Sequence, residues 1–533
     1  MSDCENAPSE ALKAICRQIH TWDQDSRKVV NVSSRPQNVA LSLPARPSNS
    51  FECFDINCIC MFLFGDFQNG VCNLLNGGVY RKATRKEWRM MSDNERNAYV
   101  KAFWAITSNG NYTELSTIHH NIQISPGAHS GPAFLPWHRE FIKRLEIALR
   151  RVDPSVSLPY WDSTLESALT NPQDSILFSD QFFGNTQGLV TTGLFANWIG
   201  LGNAPTRRAM GQSQSVPFVE QDIQSTMSKN SIDQVLAFTA PQRACPFQTT
   251  FDVLEYGHGK PHVFVGGDMF EPRTSTNDPL FWLHHSFVDF IWEMWRQQKQ
   301  TRDQRSTQYP TDNSACSAQA HFSTTIMSPF SPLTNRDGLG NQYTDDLYEY
   351  APRPSCSLGN DCGSPFLFCD RSRGPSRCAS RMKIGGNCAG YVNGEQACYR
   401  GACVNGRCVA EQQTSSTRTT VTPPRPTVTP PRTTVTPPRT PSTSTTTPST
   451  TIFIGTLPPI TSPQTRPTAA PNQVLVEAGI DASQLGQMLN NNQNGNHGGV
   501  RVEPGIDVGN GNTGNPYQPQ QPRNPYLQPQ GRK

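Results

Sequence analysis

The histidines of this 533-residue sequence are strongly clustered. Eight of the 11 histidines fall into two groups, each next to an aromatic-rich segment with helical periodicity. The first group is His119, His120, His129 and His138, and the second is His258, His262, His284 and His285. Imidazole is a preferred ligand of copper and zinc, and no carboxylate stands in a ligand pattern beside these residues. The two groups therefore predict two metal centres with nitrogen ligands.

Helical spacing separates ligands from neighbours in the second group. His258 and His262 are four residues apart, so their side chains share one face of a helix. Pro261 lies between them, which predicts the first turn of that helix, where the missing N–H of proline costs little. His285 shares a face with Phe281, one turn earlier. These three histidines are the predicted ligands of one ion.

The same argument applies to the first group, which also contains an adjacent pair. His138 shares a helix face with Phe141 and Leu145. His119 lies on an apolar stripe, whereas His120 lies about 100° further around the helix. The period therefore favours His119 as a ligand, with His120 as the alternative.

Three imidazoles per group suit one copper ion and leave coordination positions for an exogenous ligand. Two copper ions that face each other can together supply two electrons to dioxygen, because each ion cycles between Cu(I) and Cu(II). The sequence therefore predicts a binuclear copper site with six ligands. These are His119, His129 and His138 for one ion, and His258, His262 and His285 for the other.

Four segments that carry these histidines resemble the tyrosinase family. The segment HSGPAFLPWHRE at 129–140 resembles the first copper signature, and DPLFWLHHSFVD at 278–289 resembles the second. The segment HGKPHVFVGGDM at 258–269 resembles the part that carries two further ligands, and YTELSTIH at 112–119 matches the run that ends at the first ligand. The resemblance covers about residues 112–296 and agrees with the ligands chosen from helical period.

The resemblance implies a mainly α fold in which a four-helix bundle holds two copper ions, with long loops. It implies oxidation of o-diphenols to o-quinones with reduction of O2 to water, and it allows ortho-hydroxylation of monophenols such as tyrosine. The expected partners are a phenol or catechol and O2, together with extracellular matrix proteins where quinones form pigment or crosslink a coat. A C-terminal segment can cover the copper site in this family, and the cysteine-rich module described below is the candidate here.

Three residues around the second ligand group bear on the substrate. Family members that hydroxylate phenols often carry Asn directly after the fourth ligand, where it helps a glutamate to hold a water that deprotonates the phenol. Gly259 occupies that position here and Glu255 is the candidate glutamate, so oxidation of diphenols is favoured over hydroxylation. Arg273 precedes the second signature at the expected substrate entrance, where it would favour a carboxylate-bearing substrate. An exposed loop arginine is the simpler interpretation.

Four further residues are expected to support the ligands. Metal-bound imidazoles usually donate their second N–H to a carboxylate or a carbonyl. Asp289, one turn after His285, is predicted to accept such a bond or to pair with Arg139. Phe134 and Phe281 are predicted to pack against ligand rings and to keep bulk water away.

Helices must position these residues. The capping box Ser-Asp-Asn-Glu at 92–95 predicts the start of one helix. A second helix is predicted over about 138–151, ending before Asp153-Pro154, and a third over 278–296. Strand signals are weak and short, so the domain is expected to be mainly helical.

The 16 cysteines form two dense clusters, at 4–72 and 356–408, with two single residues between them. This pattern predicts disulfide bonds and an oxidising compartment, and therefore a secreted protein whose signal peptide is not seen in this sequence. The second cluster resembles the cysteine-rich extension of invertebrate cuticle-type and shell-type tyrosinases. No run of 18 apolar residues predicts a membrane span, and the net charge of +3 gives no indication of a nucleic-acid partner.

Composition divides the chain into five predicted parts. They are a cysteine-containing N-terminal segment at 1–75, the copper domain at 76–350, the cysteine-rich module at 351–410, a Thr/Pro-rich linker at 411–470 and a disordered tail, rich in Asn, Gln, Gly and Pro, at 471–533.

Two other classes of protein could contain the same six ligands. A haemocyanin-like O2 carrier would bind oxygen but block the access of substrate, and a matrix protein would retain a copper domain of low activity. A carrier of that lineage usually occurs as a long array of copper units, whereas this chain has one. All six ligands are present, which favours an oxidase over a matrix protein.

Overall fold

The computed structural model describes residues 2–410, apart from 31, 37–38, 40, 42–46, 212–214, 248–249 and 357–360. The predicted Thr/Pro-rich linker and disordered tail lie outside the described residues. Helices are the main regular elements of the described part, which confirms the mainly α prediction. No helix in that part is both long enough and apolar enough to cross a membrane.

Ten α-helices occur among the described residues, joined by long loops and short 3-10 turns. They are α1 (Glu10–Ser26), α2 (Ile56–Phe62), α3 (Asp93–Ser108), α4 (Asn111–His120), α5 (Phe134–Val152), α6 (Thr164–Ser167), α7 (Glu220–Ser228), α8 (Leu254–Val265), α9 (Leu280–Lys299) and α10 (Arg302–Thr307).

The strands are two to four residues long and form only small sheets in the described part. They are β1 (Asp66–Gln68), β2 (Val71–Asn73), β3 (Val79–Tyr80), β4 (Ala83–Arg85), β5 (Gln187–Leu189), β6 (Arg207–Ala209), β7 (Tyr348–Tyr350), β8 (Leu367–Asp370), β9 (Arg377–Ser380), β10 (Gly401–Val404) and β11 (Arg407–Ala410). Strand β4 pairs with β7 in parallel, and the other pairs, β1–β2, β2–β3, β5–β6, β8–β9 and β10–β11, are antiparallel.

The predicted helices are present with modest shifts of their ends. The capping box of α3 is formed by Ser92 and Glu95, as predicted. Helix α5 begins at Phe134, four residues before the predicted start. Pro136 then lies in its first turn, where a proline is tolerated because its missing N–H would have no partner within the helix. It ends at Val152, immediately before Asp153, as predicted. Helix α9 extends three residues past the predicted end.

The prediction that Pro261 lies in the first turn of a helix is wrong. Helix α8 begins at Leu254, so Pro261 lies in its interior. The carbonyl of Gly257, four residues earlier, therefore receives no N–H from residue 261. The residues of α8 are almost all buried, and this packing offsets the lost hydrogen bond. His258 and His262 still share one face of the helix.

Helices α4, α5, α8 and α9 carry five of the six predicted ligands. Helix α5 packs against α3, α4 and α9, whereas α8 packs against α1, α7 and α9. Trp137 of α5 and Trp282 of α9 are fully buried beside this junction. The arrangement of these helices as one four-helix bundle remains a prediction.

Eight disulfide bonds use all 16 cysteines, which confirms the predicted disulfide chemistry. The pairs are Cys4–Cys16, Cys53–Cys58, Cys60–Cys72, Cys245–Cys316, Cys356–Cys369, Cys362–Cys378, Cys388–Cys403 and Cys398–Cys408. Only the Cys245–Cys316 bond joins distant parts of the sequence, with a separation of 71 residues.

The cysteine-rich segment after residue 351 packs against the loops that follow α5. Arg353 forms an ion pair with the buried Asp162, with 2.6 Å between Nε and Oδ2. The hydroxyls of Ser175 and Ser380 lie 2.7 Å apart and are buried. These contacts attach the segment to the helical domain through polar groups as well as through its apolar residues.

Candidate metal centre

Two groups of three buried histidines converge within the helical domain. In each group, the nitrogen atoms that could bind an ion lie within 4.8 Å of one another. We call His119, His129 and His138 the first triad, and His258, His262 and His285 the second triad. All six predicted ligands are therefore brought together as the sequence predicted.

The spacing of the ring nitrogens fits metal ligation. The Nε2 atoms of His119 and His129 are 3.1 Å apart, and those of His262 and His285 are 3.3 Å apart. Two nitrogens at a metal–nitrogen distance of about 2 Å and a tetrahedral angle would be roughly 3.3 Å apart. The triads also face each other, because the rings of His138 and His285 stack with centroids 4.3 Å apart.

Backbone carbonyls orient three of the rings. The Nδ1–H groups of His138, His258 and His262 donate to the carbonyls of Phe134, Glu255 and Met269, at 2.9, 2.6 and 2.8 Å. Each bond selects the tautomer in which Nε2 carries the free electron pair. The Nε2 atom of His138 has no hydrogen-bond partner among the described residues, which leaves it free for a metal ion.

Burial keeps the six rings neutral. It lowers the pKa of His119 to about 3 and that of His262 to about 4. It also lowers the pKa of the four other ligands well below the ordinary value of 6.5, with smaller contributions from neighbouring histidines. A neutral imidazole is the form that binds a metal ion. Six neutral nitrogen donors without a carboxylate in either triad fit a binuclear copper site.

The structure shows which histidine of each adjacent pair belongs to a triad. His119 is fully buried in the first triad, whereas His120 is exposed and its Nδ1 lies 2.8 Å from the carbonyl of Arg273. In the second pair, His285 joins the triad and His284 lies behind it. His284 Nε2–H donates to the carbonyl of His258 at 2.9 Å, and the two rings stack at an angle of 7°. No feature of the sequence indicates this role for His284.

Glu255 is buried and tied to the loop that carries His129. Its Oε1 accepts the backbone N–H of Ser130 at 2.6 Å, and its Oε2 accepts the hydroxyl of Thr239 at 2.6 Å. Burial raises the pKa of this carboxyl to about 7, against the lowering effect of these bonds. Both oxygens are thus engaged by the protein, and Glu255 does not line the cavity beside the triads.

His321 also supports this loop. Its Nδ1 accepts the backbone N–H of Ala133 at 3.2 Å, and its Nε2 lies 3.4 Å from the hydroxyl of Ser130. Burial lowers its pKa to about 3. As an isolated histidine outside every motif, His321 has no sequence feature that would indicate this contact.

Asp289 pairs with Arg139, one of the two roles predicted for it. Arg139 donates from Nε to Asp289 at 2.6 Å and from Nη2 to Glu293 at 2.8 Å. The hydroxyls of Tyr348 and Tyr350 donate to the second oxygen of Asp289, at 2.8 and 2.7 Å. All three ionic groups are buried. This network links α5 to α9 close to His138 and His285, since Arg139 directly follows His138 and Asp289 lies one turn after His285.

Phe134 and Phe281 pack against the histidine rings of the two triads. The ring centroid of Phe134 lies 4.5 Å from that of His258 and 4.8 Å from that of His138. The centroid of Phe281 lies 4.2 Å from that of His285. Both phenylalanines are at most 2% exposed, so they exclude water from these sides of the rings.

A narrow cavity lies beside His129, His258 and His262. Gly259 lines this cavity, and its place at the substrate entrance stays a prediction. Arg273 is exposed, and its guanidinium lies 3.5 Å from the carboxylate of Asp25 in α1. Helix α1 supplies one wall, and no sequence motif indicates this contact. No described residue of the cysteine-rich segment lines this cavity. The complete lining is Ile15, Gln18, Ile19, Trp22, His129, His258, Gly259, His262, Phe270, Pro272 and Ser275.

Comparisons with known proteins identify the family. Residues 109–298 match the common central domain of tyrosinase. The chain is 48% identical over 432 residues to a tyrosinase-like protein of Caenorhabditis elegans, covering 80% of this chain and 62% of the relative. It is 33% identical to a tyrosinase-like protein of Margaritifera margaritifera, covering 56% and 61%. It therefore spans less than two thirds of either relative.

A bacterial relative is covered more completely. The tyrosinase of Streptomyces glaucescens is 32% identical over 234 residues, which are 40% of this chain and 82% of that protein. Residues 109–298, which match the common central domain of tyrosinase, contain both histidine triads. This chain belongs to the tyrosinase family of type 3 copper proteins.

Proposed function

We propose that this chain oxidises o-diphenols to o-quinones with O2. Two o-diphenols are oxidised for each O2, which is reduced to two molecules of water. The two opposed triads of buried, neutral histidines are the observation that carries the proposal. They are His119, His129 and His138 on one side and His258, His262 and His285 on the other.

The protein contributes orientation and exclusion of water. Bound copper would supply the one-electron chemistry that couples diphenol oxidation to O2 reduction. The carbonyls of Phe134, Glu255 and Met269 hold three ligand rings at Nδ1, so that these rings need not reorient. Phe134 and Phe281 close the sides of the site. A substrate would approach through the cavity lined by Gly259.

The surroundings of Glu255 favour diphenol oxidation over monophenol hydroxylation. Hydroxylation needs a base that removes the phenolic proton. Both carboxylate oxygens of Glu255 are occupied by Ser130 and Thr239, and Gly259 offers no side chain to hold a water beside them. We therefore expect o-diphenols to be the main substrates. Glu255 then acts by positioning the His129 loop.

The eight disulfide bonds support an extracellular location, since such bonds persist in oxidising compartments. A quinone released there would react with nucleophilic side chains of neighbouring proteins or polymerise. We propose on this basis that the product crosslinks or pigments an extracellular coat.

The adjacent pair His119 and His120 allows a sharp test. We would compare His119→Ala with His120→Ala by copper content and by O2 consumption with catechol and with phenol. The wild type and His120→Ala are expected to bind two copper ions and to oxidise catechol, whereas His119→Ala should lose one copper ion and most activity. The reverse order of the two variants would refute the ligand assignment. Reversible O2 binding without catechol oxidation would support a carrier instead.

A further inference from the structure

Helix α1 lies against the proposed copper site although it is far from it in sequence. It packs on α8, where Leu12, Ile15 and Ile19 form an apolar cluster with Tyr256 and Val263. This cluster is buried, so α1 is an integral part of the site in this structure. Four of its side chains line the cavity beside the triads, namely those of Ile15, Gln18, Ile19 and Trp22.

Helix α1 is held at several points along its length. Gln18 Nε2 donates to the carbonyl of Phe270 at 2.8 Å. Trp22 Nε1–H donates to the carbonyl of Pro126 at 3.2 Å, and its ring contacts the ring of His129 edge-on with centroids 4.8 Å apart. Because two of these contacts reach the cavity lining itself, the position of α1 is coupled to the position of the site.

The space between α1 and the triads is small. The centre of a water molecule could move within a volume of only about 30 Å³ in this cavity. A single water needs about 10–15 Å³ on this measure. An aromatic ring with a bulky substituent would therefore contact the α1 side chains, of which Ile15 and Ile19 are apolar.

The side chain of Ile15 fills the space that a side chain on residue 259 would need. A Cβ atom built on Gly259 would lie 2.7, 2.8 and 2.9 Å from three carbon atoms of Ile15, which is far inside van der Waals contact. Gly259 is the residue directly after His258. The wall beside this ligand is thus provided by Ile15 of α1, and position 259 has room only for glycine while Ile15 is present.

We propose that Ile15 is a specificity-determining residue that limits the size of the diphenol reaching the second triad. This inference rests on the proposed oxidase function and defines its substrate class as small diphenols without a bulky alkyl group. Shortening Ile15 enlarges the cavity next to Gly259. The kcat/KM for ring-substituted diphenols should therefore increase more than the kcat/KM for unsubstituted catechol. Contacts of one or two methyl groups typically change selectivity about 10-fold to 200-fold.

The first measurement compares kcat/KM for catechol and for 4-tert-butylcatechol. In Ile15→Ala, the ratio of the two constants should shift toward 4-tert-butylcatechol by about tenfold or more. Ile15→Val should shift it in the same direction by a smaller factor, which retains the test if the alanine variant folds poorly. Leu12→Ala is the matched control. It truncates the same apolar cluster from the same helix but does not line the cavity, so its ratio should equal that of the wild type.

A binding measurement on the copper-loaded protein does not depend on turnover. Benzoate and 4-tert-butylbenzoate carry no phenolic hydroxyl, and their dissociation constants can be measured by titration calorimetry. Ile15→Ala should lower the dissociation constant of 4-tert-butylbenzoate relative to that of benzoate by a similar factor. Leu12→Ala should leave the ratio of the two dissociation constants unchanged.

The outcomes separate this inference from the proposed function. If the wild type oxidises catechol but both ratios are the same in Ile15→Ala and the wild type, or change equally in Leu12→Ala, the inference is overturned. If no form oxidises catechol while Ile15→Ala alone alters benzoate selection, the proposed oxidase fails and Ile15 is still the wall of a ligand pocket. If no form oxidises catechol or binds benzoate, both proposals fail.

Discussion

The Glu255 carboxylate accepts the backbone N–H of Ser130 at 2.6 Å, directly after the ligand His129. The backbone carbonyl of the same glutamate accepts the Nδ1–H of His258 at 2.6 Å. One residue at the start of α8 therefore fixes a ligand in each triad. Because His129 lies in a loop and not in a helix, its ring depends on this contact more than the helical ligands do.

Replacing Glu255 with Gln should weaken copper binding. In glutamine one of the two carboxylate oxygens becomes an NH2 group, so Ser130 keeps its acceptor only if this NH2 faces Thr239 and donates to its hydroxyl, which reverses the present bond. Loss of such a supporting contact usually lowers metal affinity about 10-fold to 100-fold. Competition with a copper chelator would measure the change. Asp252→Asn is the control, because this half-exposed carboxylate pairs with Lys229 at 2.5 Å. Equal losses in the two variants would argue against a positioning role for Glu255.

The Asp289–Arg139 pair should matter for stability. Asp289→Asn would remove the negative charge that lies 2.6 Å from the buried guanidinium of Arg139, so that this cation keeps a carboxylate partner only in Glu293 among the described residues. Breaking a buried pair from one side typically lowers the free energy of unfolding by about 3–5 kcal/mol. Urea unfolding of the metal-free protein measures this. Asp345→Asn removes the exposed pair with Arg302 and should change stability by no more than about 1 kcal/mol. A loss for Asp289→Asn as small as that of the control would contradict the prediction.

Local sequence patterns predicted the parts of the site that depend on helical period. His258 and His262 share a face because they are four residues apart, and this holds although Pro261 misled the prediction of where α8 begins. The choice of His119 over His120 follows from the same period. These relationships require no knowledge of distant parts of the chain.

Contacts between distant segments were not predictable in this way. Ile15 and Gly259 meet because α1 packs on α8, and no pattern at either position indicates the other. His321 reaches the His129 loop through a turn that belongs to no motif. Asp289 is an intermediate case, since the sequence proposed two partners and packing selected Arg139.

The long-range disulfide should stabilise the fold more than a short one. Cys245–Cys316 has a sequence separation of 71, whereas Cys53–Cys58 has a separation of 5. Loop-closure entropy assigns roughly 4 kcal/mol to the first bond and roughly 2 kcal/mol to the second. Paired Cys→Ser variants of each bond, compared by urea unfolding, test the order. A larger loss for the short bond would show that local packing outweighs the entropy of the unfolded chain.

Acidification should destabilise the metal-free protein, and His321 should contribute measurably. Burial lowers its pKa from 6.5 to about 3 in the folded protein. Between these values the unfolded chain binds a proton at this histidine and the folded protein does not. Above pH 6.5 this histidine is neutral in both states and does not lower the free energy of unfolding. As the pH decreases from 6.5 toward 3, protonation of the unfolded chain lowers the free energy of unfolding by up to about 1.4 kcal/mol per pH unit for this one group.

His321→Gln removes this proton uptake and isolates the effect from that of the other buried histidines. The free energy of unfolding, measured by urea titration between about pH 5 and pH 8 without copper, should decrease less steeply with acidification in the variant than in the wild type. At about pH 8 the two proteins should differ only by the packing and hydrogen bonds that His321 makes with Ala133 and Ser130, which serves as the internal reference. Parallel curves over the whole range would mean that His321 is protonated equally in the folded and unfolded chains, and that its burial does not control its charge.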